Sequence, residues 1–152
     1  MDGDGSRTGD RTRTGLEDAQ VATRLPAQDL ERARRFYADK LGLHPLDERP
    51  GGMLYRTGGV EFQVFLSQGR SPGTFTQMSW DVDDIEAVVA ELKRRGVVFE
   101  EVELPALYGG DRTVDGILEV RGGYVTKGFG GTRGAWFRDS EGNMLSVGEA
   151  IP

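Results

Sequence analysis

The chain carries the same pattern of predicted elements twice, and this internal repeat leaves few folds open to it. The segment DLERARRFYADKLGL can be laid on DDIEAVVAELKRRGV with Asp29 opposite Asp84, an offset of 55 residues. Both segments space apolar residues along one helical face, and each aspartate stands where an N-cap is expected. A strand precedes each helix and further strands follow it, so the sequence predicts one βαβββ unit repeated once.

Strand and hairpin signals agree with this duplication. The first half predicts strands at 21–28, 44–48, 53–57 and 60–67, and the second half predicts strands at 74–82 and 97–104. Gly58-Gly59 and the closing segment GAWFRDSEGNMLSVGE each predict a tight hairpin. Two unrelated α+β segments would also fit, but element order, caps and hairpins agree together, which favours duplication.

The repeat divides the chain into a tail and two modules. Residues 1–19 contain mostly Gly, Asp, Arg and Thr, and they predict a disordered tail. Module 1 covers 20–68, and module 2 covers 73–150 with a long glycine-rich loop at 105–134. We expect that loop to be a lid over a ligand or an arm that holds a dimer together.

Composition excludes several classes of function. The formal net charge of −6, with scattered arginines, argues against nucleic-acid binding, which needs a concentrated basic patch. The chain has no cysteine, so disulfides and thiolate metal sites are excluded. No apolar run approaches the ~20 residues that span a bilayer, and the N-terminal tail lacks the apolar core of a secretory signal. We therefore predict a cytoplasmic protein with no membrane or nucleic-acid partner.

Three segments resemble the vicinal oxygen chelate superfamily, which includes glyoxalase I, bleomycin-resistance proteins and extradiol dioxygenases. They are DLERARRFYADKLGL after its strand, VDDIEAVVAELKRRGV, and the terminal AWFRDSEGN. The resemblance covers roughly residues 20–150. It implies an α+β fold of two βαβββ modules, with curved mixed sheets that form a cup and helices outside. The cup closes within one chain or between two, and the resemblance also implies a homodimer.

The resemblance further implies where a metal ion would be held. Family enzymes bind a divalent ion with His, Glu or Gln side chains on strands that face into the cup. Those positions fall on Ala22, Gln63, Gln77 and Ser146 of this chain. Alanine offers no donor, and one hydroxyl with two neutral amides is a poor ligand set for a divalent cation. The single histidine, His44, lies elsewhere, so the sequence predicts neither a metal nor another cofactor.

Strand alternation indicates which other side chains would share the cup. Aromatic and aliphatic side chains with a few polar groups are typical of a small-molecule pocket. The predicted ligand-binding residues, including two loop tyrosines, are Arg24, Glu61, Gln63, Phe65, Phe75, Gln77, Met144, Ser146, Tyr108 and Tyr124. Alternatively, the glutamines and Arg24 satisfy each other across a filled cup. The opposite strand faces should pack under the helices through Val60, Phe62, Val64, Met78, Trp80, Val82, Leu145 and Val147.

These inferences predict a metal-independent protein that binds a small molecule, with sequestration of an antibiotic or a secondary metabolite as one such role. The first alternative is an enzyme: a metal-dependent lyase or oxidoreductase, or a metal-free proton-transfer enzyme with Glu61 or Asp81 as the base. The second is a non-catalytic interaction module whose cup is collapsed and filled.

Overall fold

The computed structural model describes residues 15–108, 110–122 and 129–152. It contains two helices and eight strands in two four-stranded mixed sheets. The first half contributes β1 (Thr23–Ala27), α1 (Leu30–Leu41), β2 (Asp47–Arg49), β3 (Gly52–Thr57) and β4 (Val60–Leu66). The second half contributes β5 (Met78–Asp81), α2 (Ile85–Arg94), β6 (Leu118–Arg121), β7 (Gly131–Arg138) and β8 (Met144–Ile151). Short 3₁₀ turns lie at Leu16–Asp18 and Ala106–Tyr108.

The two sheets have the same topology. The first sheet has the order β1-β4-β3-β2 and the second has the order β5-β8-β7-β6. In each, the strand before the helix pairs in parallel with the last strand of its module, and the other neighbours are antiparallel. The predicted α+β fold of two βαβββ modules is therefore confirmed. The two sheets remain separate and do not close into a barrel.

Both helices begin at the predicted aspartates. Asp29 Oδ1 accepts a hydrogen bond from the Arg32 amide at 2.9 Å, and Asp84 Oδ1 accepts one from the Ala87 amide at 3.0 Å. Each aspartate thereby satisfies one of the backbone donors that a helix leaves free in its first turn. Helix α1 ends at Gly42, whose φ of 68° is readily adopted only by glycine.

One face of each sheet is covered by the helices, and the core lies there. Members of the main buried cluster come from both halves, and include Tyr37 and Phe62 of the first half with Phe137 and Leu145 of the second. A smaller cluster places Ile85 of α2 against the second sheet. The two modules thus share one continuous apolar interior. The opposite face of each sheet is free of helices and is called the open face below.

Two predictions about module 2 were wrong in detail. Residues 97–104 form no continuous strand, and only isolated bridges occur there, at Phe99 and Glu103. The strand Leu118–Arg121 lies inside the predicted loop 105–134 and pairs with Gly131–Gly134 of β7. The first half of β7 is therefore already paired, so the 97–104 segment reaches β7 only near Phe137, where Phe99 forms its bridge.

Val60 does not belong to the core. The side chains predicted to pack with it under the helices are buried or partly buried, whereas Val60 is 67% exposed. It follows the Gly58-Gly59 turn directly, so it lies at the hairpin end of the sheet. Both turn glycines have positive φ, 54° and 79°, as a two-residue hairpin requires. No helix in the described ranges is long and apolar enough to cross a membrane.

Candidate functional site

The open face of the first sheet carries four of the predicted binding residues. In the parallel pairing of β1 with β4, Arg24 lies opposite Gln63, and Pro26 lies opposite Phe65. Their strand neighbours, such as Leu25, are buried on the helix side, so these side chains project to the open face. Neither Arg24 nor Gln63 forms a side-chain hydrogen bond or ion pair within the described residues. Both polar ends are therefore available to a ligand.

Glu61, the fourth of these residues, is paired within its own sheet. It forms an ion pair with Arg56, its antiparallel partner on β3. Both side chains are about half exposed, so the pair is screened by water and contributes little to stability. The pair leaves Arg24 as the unpartnered cation on this part of the described surface.

The open face of the second sheet carries Ser146 and Met144, both buried. Ser146 Oγ donates to Ser79 Oγ at 2.8 Å, across the parallel pairing of β8 with β5. The hydroxyl of Ser146 is thus partly used by a neighbouring strand. Within the described residues, no hydrogen bond joins these side chains to Arg24 or Gln63. The predicted site residues form two groups, one on each sheet.

Gln77 is held within the protein. Its Oε1 accepts from the Ser71 hydroxyl and from the Met144 amide at 3.2 Å, and its Nε2 donates to Asn143 Oδ1 at 3.1 Å. Burial of an amide side chain is favourable only when such partners are present. The side chain fixes the start of β8, and little of its hydrogen-bonding capacity remains for a ligand.

The donor set at the four family positions does not fit a divalent ion. Ala22 has no donor atom, Gln77 is bound by three protein groups, and the Ser146 hydroxyl faces Ser79. Of the four positions, only Gln63 has a side-chain polar group that forms no hydrogen bond within the described residues. Within the described ranges, no three His, Cys, Asp or Glu side chains are grouped as metal ligands. A single neutral amide cannot replace the hydration shell of a divalent cation.

Trp136 is a candidate that the sequence reasoning missed. It pairs with Ser146 in the β7–β8 ladder and therefore lies on the open face. A Cβ atom placed on Gly134 would lie 2.9 Å from its ring, so the indole covers that glycine. Its Nε1 donates to Thr76 Oγ1 at 3.1 Å, which fixes the ring. The alternation in GAWFRD indicated this: Ala135 and Phe137 are buried under the helix, so Trp136 faces the other way.

The turn after β7 fastens the second half to the start of α1. Glu141 is fully buried, and its Oε1 accepts from the backbone amides of Gln28 at 3.0 Å and Asp29 at 2.9 Å. Arg32 donates to both carboxylate oxygens, at 2.8 and 3.0 Å. Burial opposes ionisation, but the bonds from Arg32, the Asp29 amide and Ser140 outweigh it and lower the pKa of Glu141 to about 2. The carboxylate therefore has a structural role.

Asp139 completes the same turn. It accepts from the Tyr37 hydroxyl at 2.8 Å and from the side-chain amide of Asn143 at 2.8 Å, and all three residues are buried. Burial raises the pKa of Asp139 above its usual value, although the hydrogen bonds from Asn143 and Tyr37 act in the opposite direction. Asn143 also donates to the Pro26 carbonyl at 2.9 Å, which joins the turn to the edge of β1.

The remaining predicted residues lie away from these two groups or outside the described structure. Phe75 precedes β5 and is 61% exposed. Tyr124 lies outside the described residues, and Tyr108 ends the short 3₁₀ turn that follows Pro105. His44 is exposed after α1.

Comparison with solved structures shows which proteins share this architecture. A glyoxalase/bleomycin resistance protein/dioxygenase from Alicyclobacillus acidocaldarius is 17% identical, with a TM-score of 0.64, and the match covers 89% of this chain and 93% of that one. An antibiotic binding protein from Streptomyces sp. CB03234 is 21% identical, with a TM-score of 0.55 and coverages of 87% and 96%. A lactoylglutathione lyase from Agrobacterium tumefaciens is also 21% identical, with a TM-score of 0.53 and coverages of 87% and 93%.

At these identities the structural matches show a common fold. No curated protein matches the chain in sequence. The sequence model of the Glyoxalase/Bleomycin resistance protein/Dioxygenase superfamily, however, matches residues 19–147. That match spans both modules and all three segments that carried the resemblance. The chain therefore belongs to the glyoxalase/bleomycin resistance protein/dioxygenase superfamily.

Proposed function

We propose that the chain is a metal-independent binding protein that holds a planar, polar small molecule against the open faces of its sheets. The observation that carries the proposal is the donor set at the four family positions. Three of these positions offer a cation either no atom or atoms already bound by the protein. Such a surface suits hydrogen bonding to a neutral or anionic ligand better than coordination of an ion.

The groups left free define the ligand chemistry. Gln63 can donate and accept, and Arg24 beside it adds a planar cation that suits a carboxylate, a phenolate or a carbonyl. Phe65 and the fixed indole of Trp136 supply flat apolar surface on which an aromatic ring can stack. The solved antibiotic binding protein of the same fold supports a sequestered antibiotic or secondary metabolite as the ligand.

We also propose a cytoplasmic homodimer without nucleic-acid or membrane partners. The partly exposed Phe65 on the open face favours a second copy that covers this face. Sedimentation of the purified chain tests this, and a monomer at all concentrations would contradict it. The net charge of −6 and the lack of cysteine agree with the other two assignments.

The binding proposal is tested by calorimetric titration with a panel of planar aromatic carboxylates and phenols. We expect at least one to bind more tightly than millimolar, and the double substitution Arg24→Ala with Gln63→Ala to weaken it at least tenfold. Arg35→Ala, which removes an exposed arginine on α1, is the matched control and should leave affinity unchanged.

Two further measurements separate binding from catalysis. Elemental analysis of the purified protein should find no stoichiometric divalent metal, and mass spectrometry should recover the bound compound unchanged. A stoichiometric metal would establish the metal-dependent alternative, and conversion of the compound would establish an enzyme. Binding no better than millimolar across the panel would overturn the proposal.

A further inference from the structure

The outer edge of β6 is an unpaired edge of the second sheet. In the sheet order β5-β8-β7-β6, β6 pairs with β7 on one side, and no described strand lies on its other side. An edge strand of this kind presents a row of backbone N–H and C=O groups that can pair with another chain. The segment Leu118–Arg121 is therefore a candidate interaction surface.

The pairing of β6 with β7 shows which backbone groups face outward. The Gly122 amide donates to the Gly130 carbonyl at 2.9 Å, and these two glycines continue the β6–β7 register. Hydrogen-bonded pairs alternate along an antiparallel ladder, so Val120 also bonds to β7, whereas Glu119 and Arg121 point their N–H and C=O groups away from it. Within the described residues, these outward groups form no backbone hydrogen bond.

The free part of this edge is short. Ile117 is the next residue with outward groups, but its amide and its carbonyl are already bonded to Val114, at 3.0 and 2.8 Å. That local hairpin limits the edge on its N-terminal side. The edge available to a partner is thus centred on Val120, with Glu119 and Arg121 on either side.

The charges of this edge complement themselves under a two-fold axis. Glu119 and Arg121 lie on the same face of β6, where Arg121 Nε is 2.7 Å from Glu119 Oε1. Antiparallel pairing of two copies about Val120 places Glu119 opposite the partner's Arg121, and the outward backbone groups of both residues then meet. A slip of two residues in either direction places Glu119 opposite the partner's Glu119, or Arg121 opposite the partner's Arg121. Opposite charges directly across a strand pair are stabilising and like charges are destabilising, so the charges select the register centred on Val120.

The outer edge of the first sheet lacks this property. Strand β2 also has an acid and an arginine, Asp47 and Arg49, on either side of its central residue. That central residue is Glu48, so the same two-fold pairing would place two carboxylates directly opposite each other. At β6 the central residue is Val120, and two β-branched side chains would meet there instead.

We propose that two copies of the chain pair through their β6 edges, in an antiparallel register centred on Val120. Glu119 of each copy exchanges backbone hydrogen bonds with the partner's Arg121, and the two side chains form an ion pair across the junction. The contact is separate from one that covers the open face of the first sheet, because β6 is the outermost strand of the second sheet. The pairing involves few residues, and interfaces below about 1,200 Å² are typical of weak complexes, so the population of the pair rises with protein concentration.

Charge substitutions test this register by sedimentation velocity. Glu119→Arg and Arg121→Glu each place like charges opposite each other, and each should weaken association at least tenfold. An equimolar mixture of the two variants should restore association, because every arginine at the junction then meets a glutamate. Arg49→Glu on β2 is the matched control and should leave association unchanged.

A disulfide provides a second test, because the chain contains no cysteine. The Cα atoms of a directly opposed, non-hydrogen-bonded pair are about 4.5 Å apart, a distance that a disulfide can bridge. Val120→Cys should therefore form a cross-linked dimer in a glutathione redox buffer. Glu48→Cys, at the centre of β2, is the matched control and should remain a thiol.

Unchanged association of both charge variants, a mixture that fails to restore association, or equal cross-linking at the two cysteine positions would each overturn the proposal. Association through the open face of the first sheet would survive both charge substitutions, so the mixing experiment distinguishes it from this contact. None of the substitutions alters Arg24 or Gln63. Failure of the β6 contact is therefore distinguishable from failure of the open-face binding site.

Discussion

At the scale of single residues, the most constrained group is the carboxylate of Glu141. It accepts hydrogen bonds from the Gln28 and Asp29 backbone amides at the start of α1. Arg32, which is 109 positions away in sequence, donates to both carboxylate oxygens. Arg32 is half exposed, so the ion pair alone contributes modestly. The buried backbone donors matter more, because they have no water to replace a lost acceptor.

Glu141→Gln should therefore destabilise the protein by about 2 kcal/mol, since the amide presents donors toward Arg32 and the Gln28 and Asp29 amides. Urea unfolding monitored by circular dichroism measures this. Glu31→Gln, which removes the exposed partner of Arg34, should cost less than about 0.5 kcal/mol and serves as the control. Equal effects of the two substitutions would contradict the structural role of Glu141.

The low pKa of Glu141 also predicts a dependence of stability on pH. The folded pKa is about 2, against about 4.3 in an unfolded chain, so this stabilisation is present above pH ~4.3 and lost as the pH falls toward 2. Asp139 has the opposite sign, because its raised pKa stabilises the fold at low pH. Lowering the pH from about 5 to about 3 should reduce the free energy of unfolding of the unchanged protein by about 1.5 kcal/mol more than that of the Glu141→Gln variant. Urea unfolding midpoints of both proteins at both pH values test this prediction. Because both proteins contain Asp139, its contribution cancels in the comparison.

At the scale of secondary-structure elements, the two halves differ after their helices. Strand β2 follows α1 after a short connection, whereas the corresponding edge of the second sheet is formed by β6, more than twenty residues after α2. The segment between α2 and β6 forms an isolated bridge to β7, between Phe99 and Phe137. The capped helices, by contrast, are nearly equivalent, since both aspartates accept from the third residue after them.

Asp84→Ala should destabilise the protein by about 1 kcal/mol, because the Ala87 amide loses its acceptor. Asp83→Ala removes the neighbouring carboxylate, which caps nothing, and should change stability by less than about 0.5 kcal/mol. Thermal unfolding of the two variants under identical conditions provides the comparison. A larger loss for Asp83→Ala would mean that the cap lies elsewhere.

At the scale of the whole molecule, the two modules are joined by one apolar interior and by the turn after β7. Phe137 is completely buried in a cluster that also contains Leu25, Tyr55 and Phe62 of the first half. The Tyr37–Asp139 and Asn143–Pro26 hydrogen bonds cross the same junction. Such shared burial predicts that both modules unfold together.

Phe137→Ala should accordingly cost about 3–4 kcal/mol and increase amide hydrogen exchange in β1 and β4 as well as in β7 and β8. Val98→Ala, at a position that is 82% exposed, is the control and should leave exchange unchanged. An increase confined to the second module would show that the modules open separately.

Local periodicity and residues a few positions apart were sufficient to predict the repeat, both helix caps, the Gly58-Gly59 hairpin and, apart from Val60, the covered strand faces. The sequence also predicted that the four family positions are poor in metal donors, since donor chemistry belongs to residue identity. The tertiary structure was needed to establish that Glu61 pairs with Arg56, that the Asn143 turn holds Gln77, and that Trp136 lies over Gly134. These contacts join residues distant in sequence or compete with equally suitable partners, and packing alone selects among them.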